Sequence, residues 1–406
     1  MASTGSSCWP PAPHASIRFC GHRRSIPPIS PAPCLRRGGP AKRTAYEREW
    51  TPVMRSTERT LRSAAQLATS GLIPADQVAE LEKVAARYAV ALTPAVAGLI
   101  DPGNANDPIA RQFLPDVAEM VTRREERTDP IGDDTHSPVE GIVHRYPDRV
   151  LLKLVHVCAV YCRFCFRRET VGPGQKHALA PNALEQALAY IRQHREIWEV
   201  ILTGGDPLVL SPRRLEAVVK KLAAIDHVKV LRLHTRVPVV DSRRMTPALV
   251  RAITAFGKAA YVVLHVNHPR ELTREARVAC ARLADAGIPL LSQSVLLKGV
   301  NDDAQTLGDL MRSLVECRIK PYYLHHGDLA PGTAHLRTSI EHGQDLMRAL
   351  RGDFSGLCQP TYVLDIPGGQ GKSPVGPNYL QAVWRASYLV EDFRGGRHGY
   401  PPAADS

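Results

Sequence analysis

From Val150 onward the chain keeps one rhythm of apolar and polar positions. Short runs rich in β-branched and other apolar residues occur at Val150 to Val157, Glu199 to Thr203, Val228 to His234, Ala260 to Val266, Leu290 to Leu297 and Lys320 to His325. Runs of that length, bounded by polar turns, read as buried strands. The stretches 182–195, 212–225, 246–256, 273–286 and 305–317 space their apolar residues three and four apart and read as amphipathic helices. Strands that alternate with helices need parallel crossovers, so the pattern predicts an α/β barrel, complete or partial. Upstream, from Glu58 to about Arg124, Leu61, Ala65, Leu67 and the run Ala75 to Val90 predict a small helical domain. Downstream, Thr361 to Leu364 is strand-like. The expected organisation is a basic tail over 1–53, a helical domain over 54–143, the barrel over 144–330 and a C-terminal segment over 331–406.

Chemistry in such barrels gathers at the C-terminal ends of the strands, and that is where the unusual residues fall. The first strand runs into Cys158, Cys162 and Cys165, spaced C-x3-C-x2-C. Thr203-Gly204-Gly205-Asp206-Pro207 follows the second strand, His234-Thr235-Arg236 the third and His265-Val266-Asn267-His268-Pro269 the fourth. Gln293 lies within the fifth, and His325-His326-Gly327-Asp328 follows the sixth. Polar groups that end successive strands converge on one mouth, the arrangement of an enzyme. Three thiolates in one loop suit an iron–sulfur cluster with one iron left open to a ligand. A zinc site wants four closed ligands, with His156 as the nearest fourth, and plain core cysteines are the remaining reading.

A second phrase, Asp365-Ile366-Pro367-Gly368-Gly369-Gln370-Gly371-Lys372-Ser373-Pro374, follows the strand-like Thr361 to Leu364. Its spacing is not that of a phosphate-binding P-loop, and Ser373-Pro374 blocks a following helix. Lys372 is its only cation and could form a Schiff base with a carbonyl cofactor, or the phrase is an ordinary surface turn.

At 406 residues and 44% hydrophobic the chain can bury a large core. It contains no run of about twenty apolar residues, so no membrane span is expected. The net charge of +12 sits unevenly: residues 1–46 hold seven Lys or Arg and no acid, leaving +5 on the rest. A nucleic-acid partner is therefore not expected from charge alone. That Ser-, Pro- and Arg-rich leader reads as a disordered tail, or as an overlong start preceding Met54; a transit peptide is the other reading. Nine cysteines, an odd number with three clustered, point away from a secreted disulfide framework and toward the cytoplasm. Cys8, Cys20 and Cys34 lie in the tail; Cys280, Cys317 and Cys358 are expected in the core.

Taken together, the cysteine loop, Gly204-Gly205-Asp206 and the Asp365 to Lys372 phrase resemble the lysine 2,3-aminomutase family of radical S-adenosylmethionine enzymes. The likeness runs from about Glu58 to Tyr379 and includes the His144 to Arg149, His265 to Glu271, Gln293 to Asp302 and Lys320 to Leu329 phrases. It implies a partial (β/α)6 radical-SAM barrel, with a 4Fe-4S cluster, S-adenosyl-L-methionine and pyridoxal 5'-phosphate as cofactors. Residue by residue, Cys158, Cys162 and Cys165 match the cluster ligands. Gly204, Gly205 and Asp206 match the backbone segment meeting the cosubstrate's amino group, and His265 and Gln293 match positions lining its pocket. Lys372 matches the catalytic lysine that carries pyridoxal phosphate, and Arg145 and Arg149 match arginines near its phosphate, with a salt bridge to Asp148 as their bland alternative. Arg167 matches the residue gripping the substrate α-carboxylate. Asp328 and Asp365 match two carboxylates clamping its distal ammonium; a helix cap and a turn former are their structural alternatives.

The activity implied is a radical isomerase that moves the α-amino group of L-lysine to C3, giving β-lysine, with an external electron donor and with a homo-oligomer allowed. One departure is Glu169, where free-lysine enzymes tend to keep a third arginine. Two alternatives stand beside this expectation. One is a β-lysine-forming enzyme of the translation factor P modification pathway, against which the presence of Asp365 weighs. The other is a non-catalytic metal- or nucleic-acid-binding protein built on the cysteine loop and the basic tail.

Overall fold

In a computed structural model of the chain, described for residues 59–172, 174, 177–383 and 387–401, nine strands form one sheet in sequence order. Strand β1 (Ile142–Tyr146) pairs antiparallel with β2 (Arg149–Val155). Then β3 (Glu199–Gly204), β4 (Val230–Thr235), β5 (Ala259–His265), β6 (Leu290–Val295), β7 (Ile319–His325) and β8 (Thr361–Ile366) continue parallel to β2. Strand β9 (Gly371–Pro374) turns back antiparallel on β8. The expected α/β barrel is present, extended by a seventh parallel strand and by an antiparallel strand at each end.

The crossover helices begin where their sequences say they should. Ser211, Thr246, Thr273, Asp303 and Ser339 each accept, through the side chain, the backbone N–H three residues on. Such a cap is worth about 1 kcal/mol. Pro181, Pro212 and Pro247 occupy first-turn positions, where the missing N–H costs nothing. Helix Pro212–Ala223 then buries Leu215, Val218, Val219 and Leu222, and helix Ala304–Glu316 buries Leu307, Leu310, Met311 and Leu314. Cys280, Cys317 and Cys358 are buried in this helical layer, as expected.

Alternation along the strands separates two environments. Val150, Leu152 and Leu154 on β2, and Leu231 and Leu233 on β4, are buried, whereas the intervening Arg149, Leu151, Lys153, Arg232 and His234 are only half-buried. The buried set faces the helices; the other, which includes Arg149, Lys153, Arg232 and His234, lines the barrel interior.

No ladder joins β1 to β9 among the described residues, so the sheet has two ends. Side chains and a close backbone approach bring those ends together. The Tyr146 hydroxyl accepts the Lys372 N–H at 2.7 Å, and His136 Nε2 lies 3.0 Å from the Gly369 carbonyl oxygen. A side chain on Gly132, which has φ +69°, would lie 2.4 Å from Gly369 N, so this contact needs glycine.

The N-terminal region is less helical than its pattern suggests. Helices Ala64–Thr69 and Val78–Arg87 form, but 88–124 is mostly loop with single turns at Pro94–Ala97, Ala110–Phe113 and Val117–Met120. Pro94, Gly103, Pro108 and Pro115 break any longer period. A small sheet of β10 (Leu380–Ala382), β11 (Tyr388–Glu391) and β12 (Arg397–Tyr400) was not foreseen either; its strands are short and largely exposed, so no alternation marks them. The tail over 1–53, with Cys8, Cys20 and Cys34, lies outside the described residues. Among those that are described, no helix is long and apolar enough to cross a membrane.

Candidate active site

The cysteine loop leaves the end of β2 and is held by charge from below. Arg163, 1% exposed, donates from Nε to both Glu119 oxygens at 2.9 and 3.1 Å, and Arg168 pairs with the same carboxylate. Glu119 is fully buried; burial alone would raise its pKa, but the two guanidiniums hold it below the ordinary range. Arg168 also stacks 3.5 Å from the centre of the Tyr88 ring, whose hydroxyl donates to Glu169. Glu169, the departure noted in the sequence, thus has a structural partner.

Burial, followed by the charge of Asp206 and of the neighbouring thiols, pushes the Cys158 thiol well above its ordinary range, and the Cys165 thiol is pushed up to about 11 by burial and Cys162. These two thiols ionise readily only against a cationic centre. No three His, Cys, Asp or Glu side chains among the described residues close on a point that would hold a single metal ion. An iron–sulfur cluster would not ask for that, and Cys158, Cys162 and Cys165 would be the residues to hold it.

Beside the loop, Gly204 adopts φ +100°, and a side chain on Gly205 would fall 2.2 Å from the Val157 carbonyl. The backbone of β3 therefore lies directly against the entry of the cysteine loop. The Asp206 carboxylate faces away from this approach and clamps the next loop, accepting from Leu208 N, Thr235 Oγ1 and Arg236 N at 2.7–3.0 Å. His265 and Gln293 sit opposite one another in register on β5 and β6. The His265 ring stacks on Phe164 and its Nε2 is buried with no partner. Burial and then Arg236 keep its pKa well below the usual value, so the ring is neutral and has a polar atom to offer a ligand.

Across the barrel, Asp365 and Lys372 are a direct cross-strand pair of the β8–β9 hairpin. Lys372 Nζ donates to both Asp365 oxygens at 2.6 and 2.8 Å. Burial would raise Asp365, but His325, 3.5 Å away, and Lys372 together hold it ionised. Asp328 shows the reverse: burial and then the charge of Asp365 raise it to about 7, opposed by Lys372 and Arg167. Arg167 donates from Nε and Nη2 to one oxygen of Asp133 at 3.0 and 2.8 Å, while Arg145 Nη2 reaches the other at 3.2 Å and the Ile131 carbonyl at 2.6 Å. Lys153 adds a third positive charge beside Asp133. Three cations against one carboxylate leave this wall of the barrel suited to anions. Arg149 makes the salt bridge to Asp148 (2.6 Å) that the sequence left open, and it stacks over Tyr146.

A barrel whose first parallel strand, β2, ends in a three-cysteine loop, with a glycine pair pressed against that loop, defines a radical S-adenosylmethionine protein, and residues 152–311 match the radical SAM superfamily. Residues 347–405, which hold the lysine hairpin, match the lysine-2,3-aminomutase family. The chain is 42% identical over 306 residues to the L-lysine 2,3-aminomutase of Clostridium subterminale, covering 75% of this chain and 73% of that one. It is 38% identical to the L-lysine 2,3-aminomutase of Escherichia coli, over 68% of this chain and 80% of that one. It is also 37% identical to the glutamate 2,3-aminomutase of Clostridioides difficile, over 78% and 74% respectively. The chain belongs to the lysine 2,3-aminomutase family and is an isomerase. That membership implies a 4Fe-4S cluster, S-adenosyl-L-methionine and pyridoxal phosphate, and the residues fit them: a loop of three free thiols, an imidazole with an unpartnered buried nitrogen stacked on that loop's Phe164, and a hairpin lysine.

Several residues that shape the site carried no sequence signal of their own. Glu119, Gln112 and Asp133 come from irregular segments, where nothing periodic foretells what they will face. His234 stood in a phrase already singled out at a strand end, without a role. Its Nε2 is buried without a partner, and burial followed by Arg232, Lys372 and Arg167 keeps its pKa well below the usual value.

Proposed function

We propose that this protein moves the α-amino group of L-lysine to C3 to give β-lysine, and that Asp328 and Asp365 select the substrate. The observation that carries the choice of lysine is the pair itself. Buried Asp365 and half-buried Asp328 act on each other's charge, and the alkylammonium of Lys372 donates to the first and opposes the rise of the second. Lysine brings the same group at the end of its side chain. Glutamate would bring a third carboxylate to a pocket in which the charge of Asp365 already raises Asp328, a costly placement.

Cys158, Cys162 and Cys165 are assigned to the cluster, Gly204 to Asp206, His265 and Gln293 to the cosubstrate, and Lys372 to the covalent attachment of pyridoxal phosphate. Arg145 and Arg149 are assigned to its phosphate, which would draw Arg149 off Asp148. Together the cofactors supply radical initiation and the electron delocalisation that nitrogen migration needs. The chain's own part is placement. Arg167, preset by Asp133, presents its remaining N–H to the substrate α-carboxylate, as a rigid guanidinium can, while the two carboxylates fix the far end. Held at both ends, the substrate offers its β-carbon at one fixed place. The electron comes from a donor outside the chain.

The test is anaerobic turnover with reconstituted protein, reductant, S-adenosyl-L-methionine and pyridoxal phosphate, offering L-lysine and L-glutamate in parallel with chiral product analysis. β-Lysine from the first alone is expected. Conversion of glutamate with lysine untouched would overturn the assignment.

A further inference from the structure

We propose that Arg236 sets the reduction potential of the cluster by hydrogen bonding to the sulfur of Cys162. The proposal rests on reading the three cysteines as cluster ligands. Iron and sulfide content, measured first, separates failure of that reading from failure of this one.

Arg236 follows the end of β4 and is 6% exposed. Its Nη1 donates to Cys162 Sγ at 3.0 Å. Its Nη2 donates to Glu271 Oε2 and to Gln112 Oε1, both at 2.6 Å. Gln112 in turn donates to the other Glu271 oxygen at 3.2 Å, and the Arg236 backbone N–H is held by Asp206 at 2.7 Å. The guanidinium lies over the Phe113 ring at 4.5 Å. One arm of a planar fork is thus pinned twice, so the other arm cannot leave the sulfur without breaking a buried ion pair.

Adding an electron to a cluster raises the negative charge carried by its sulfurs, and a cationic N–H aimed at one of them favours the reduced state over the oxidised one. Glu271 and Gln112 act one step further out, as the groups that keep the donor aimed. Arg236 is in this sense a positioning residue, and its effect should show in a potential rather than in turnover alone.

The experiment is an EPR-monitored redox titration of the anaerobically reconstituted full chain, comparing wild type with Arg236→Met and Arg236→Lys at equal iron content. Arg236→Met is expected to lower the ratio of reduced to oxidised cluster about tenfold at the wild-type midpoint, a shift of about 59 mV to more negative potential for one electron. Arg236→Lys, which keeps the charge and loses the fork, should fall between. If only the lysine variant assembles a cluster, its midpoint decides, with a negative shift supporting the proposal and an unchanged one overturning it. Wild-type midpoints in both variants would overturn it. So would failure of both to assemble the cluster, because that result makes Arg236 an assembly residue.

Discussion

Asp328 and Asp365 lie in one pocket and are driven in opposite directions. Asp365 keeps its charge through His325 and Lys372; Asp328, with burial and Asp365 against it, holds its proton up to about pH 7. An aspartate raised from 3.8 to about 7 favours the folded state while protonated, and that contribution is lost as pH climbs through the window between the two values. A substrate ammonium supplies the missing countercharge, so the sign for binding is the opposite: affinity for lysine should strengthen as pH rises toward and past 7. In a profile from about pH 5 to 9, kcat/KM for lysine is expected to show this rising limb, and Asp328→Asn to remove it. The same variant should cost about ten- to a hundredfold in kcat/KM, the worth of one charged hydrogen bond. A wild-type profile without that limb would refute the assignment.

Among whole elements, the cysteine loop depends on a carboxylate that arrives from far away in sequence. Glu119 is fully buried and neutralises Arg163 and Arg168 together. Removing its charge leaves two guanidiniums uncompensated, so Glu119→Gln should destabilise the fold by about 3–5 kcal/mol, read as a lower urea midpoint, with iron retention falling as the loop loosens. An unchanged midpoint would mean the loop is held by its backbone alone. The loop shows where the sequence could be read and where it could not. The cysteine spacing C-x3-C-x2-C stood out in the sequence by its own pattern, Lys372 only through the family resemblance, and strands β2 to β7 because their buried faces repeat. Glu119 and Asp133 were not, because only the folded chain brings them beneath the arginines they hold. The same limit hid β9 and the β10–β12 sheet: strands of three or four residues, few of them buried, leave no period to detect.

At the scale of the whole molecule, the sheet is a band whose ends meet, among the described residues, without a ladder. Tyr146 and Gly132 come from one side, and Gly369 and the Lys372 backbone from the other. The lysine assigned to the cofactor therefore sits on the clasp of the band, and Arg145, assigned to the phosphate, sits on β1 across the gap. Pyridoxal phosphate bound to both would be a cross-link as well as a reagent. Saturating it at a hundred times its dissociation constant should stabilise the chain by about 2.7 kcal/mol. The amides of Gly371 and Lys372 should exchange more slowly with deuterium, and Tyr146→Phe should widen the difference between loaded and empty protein. Exchange that is the same with and without the cofactor would sink the idea. If it holds, the cofactor reinforces a closure that otherwise rests on a few contacts, and its supply governs how long the protein lasts as well as how fast it works.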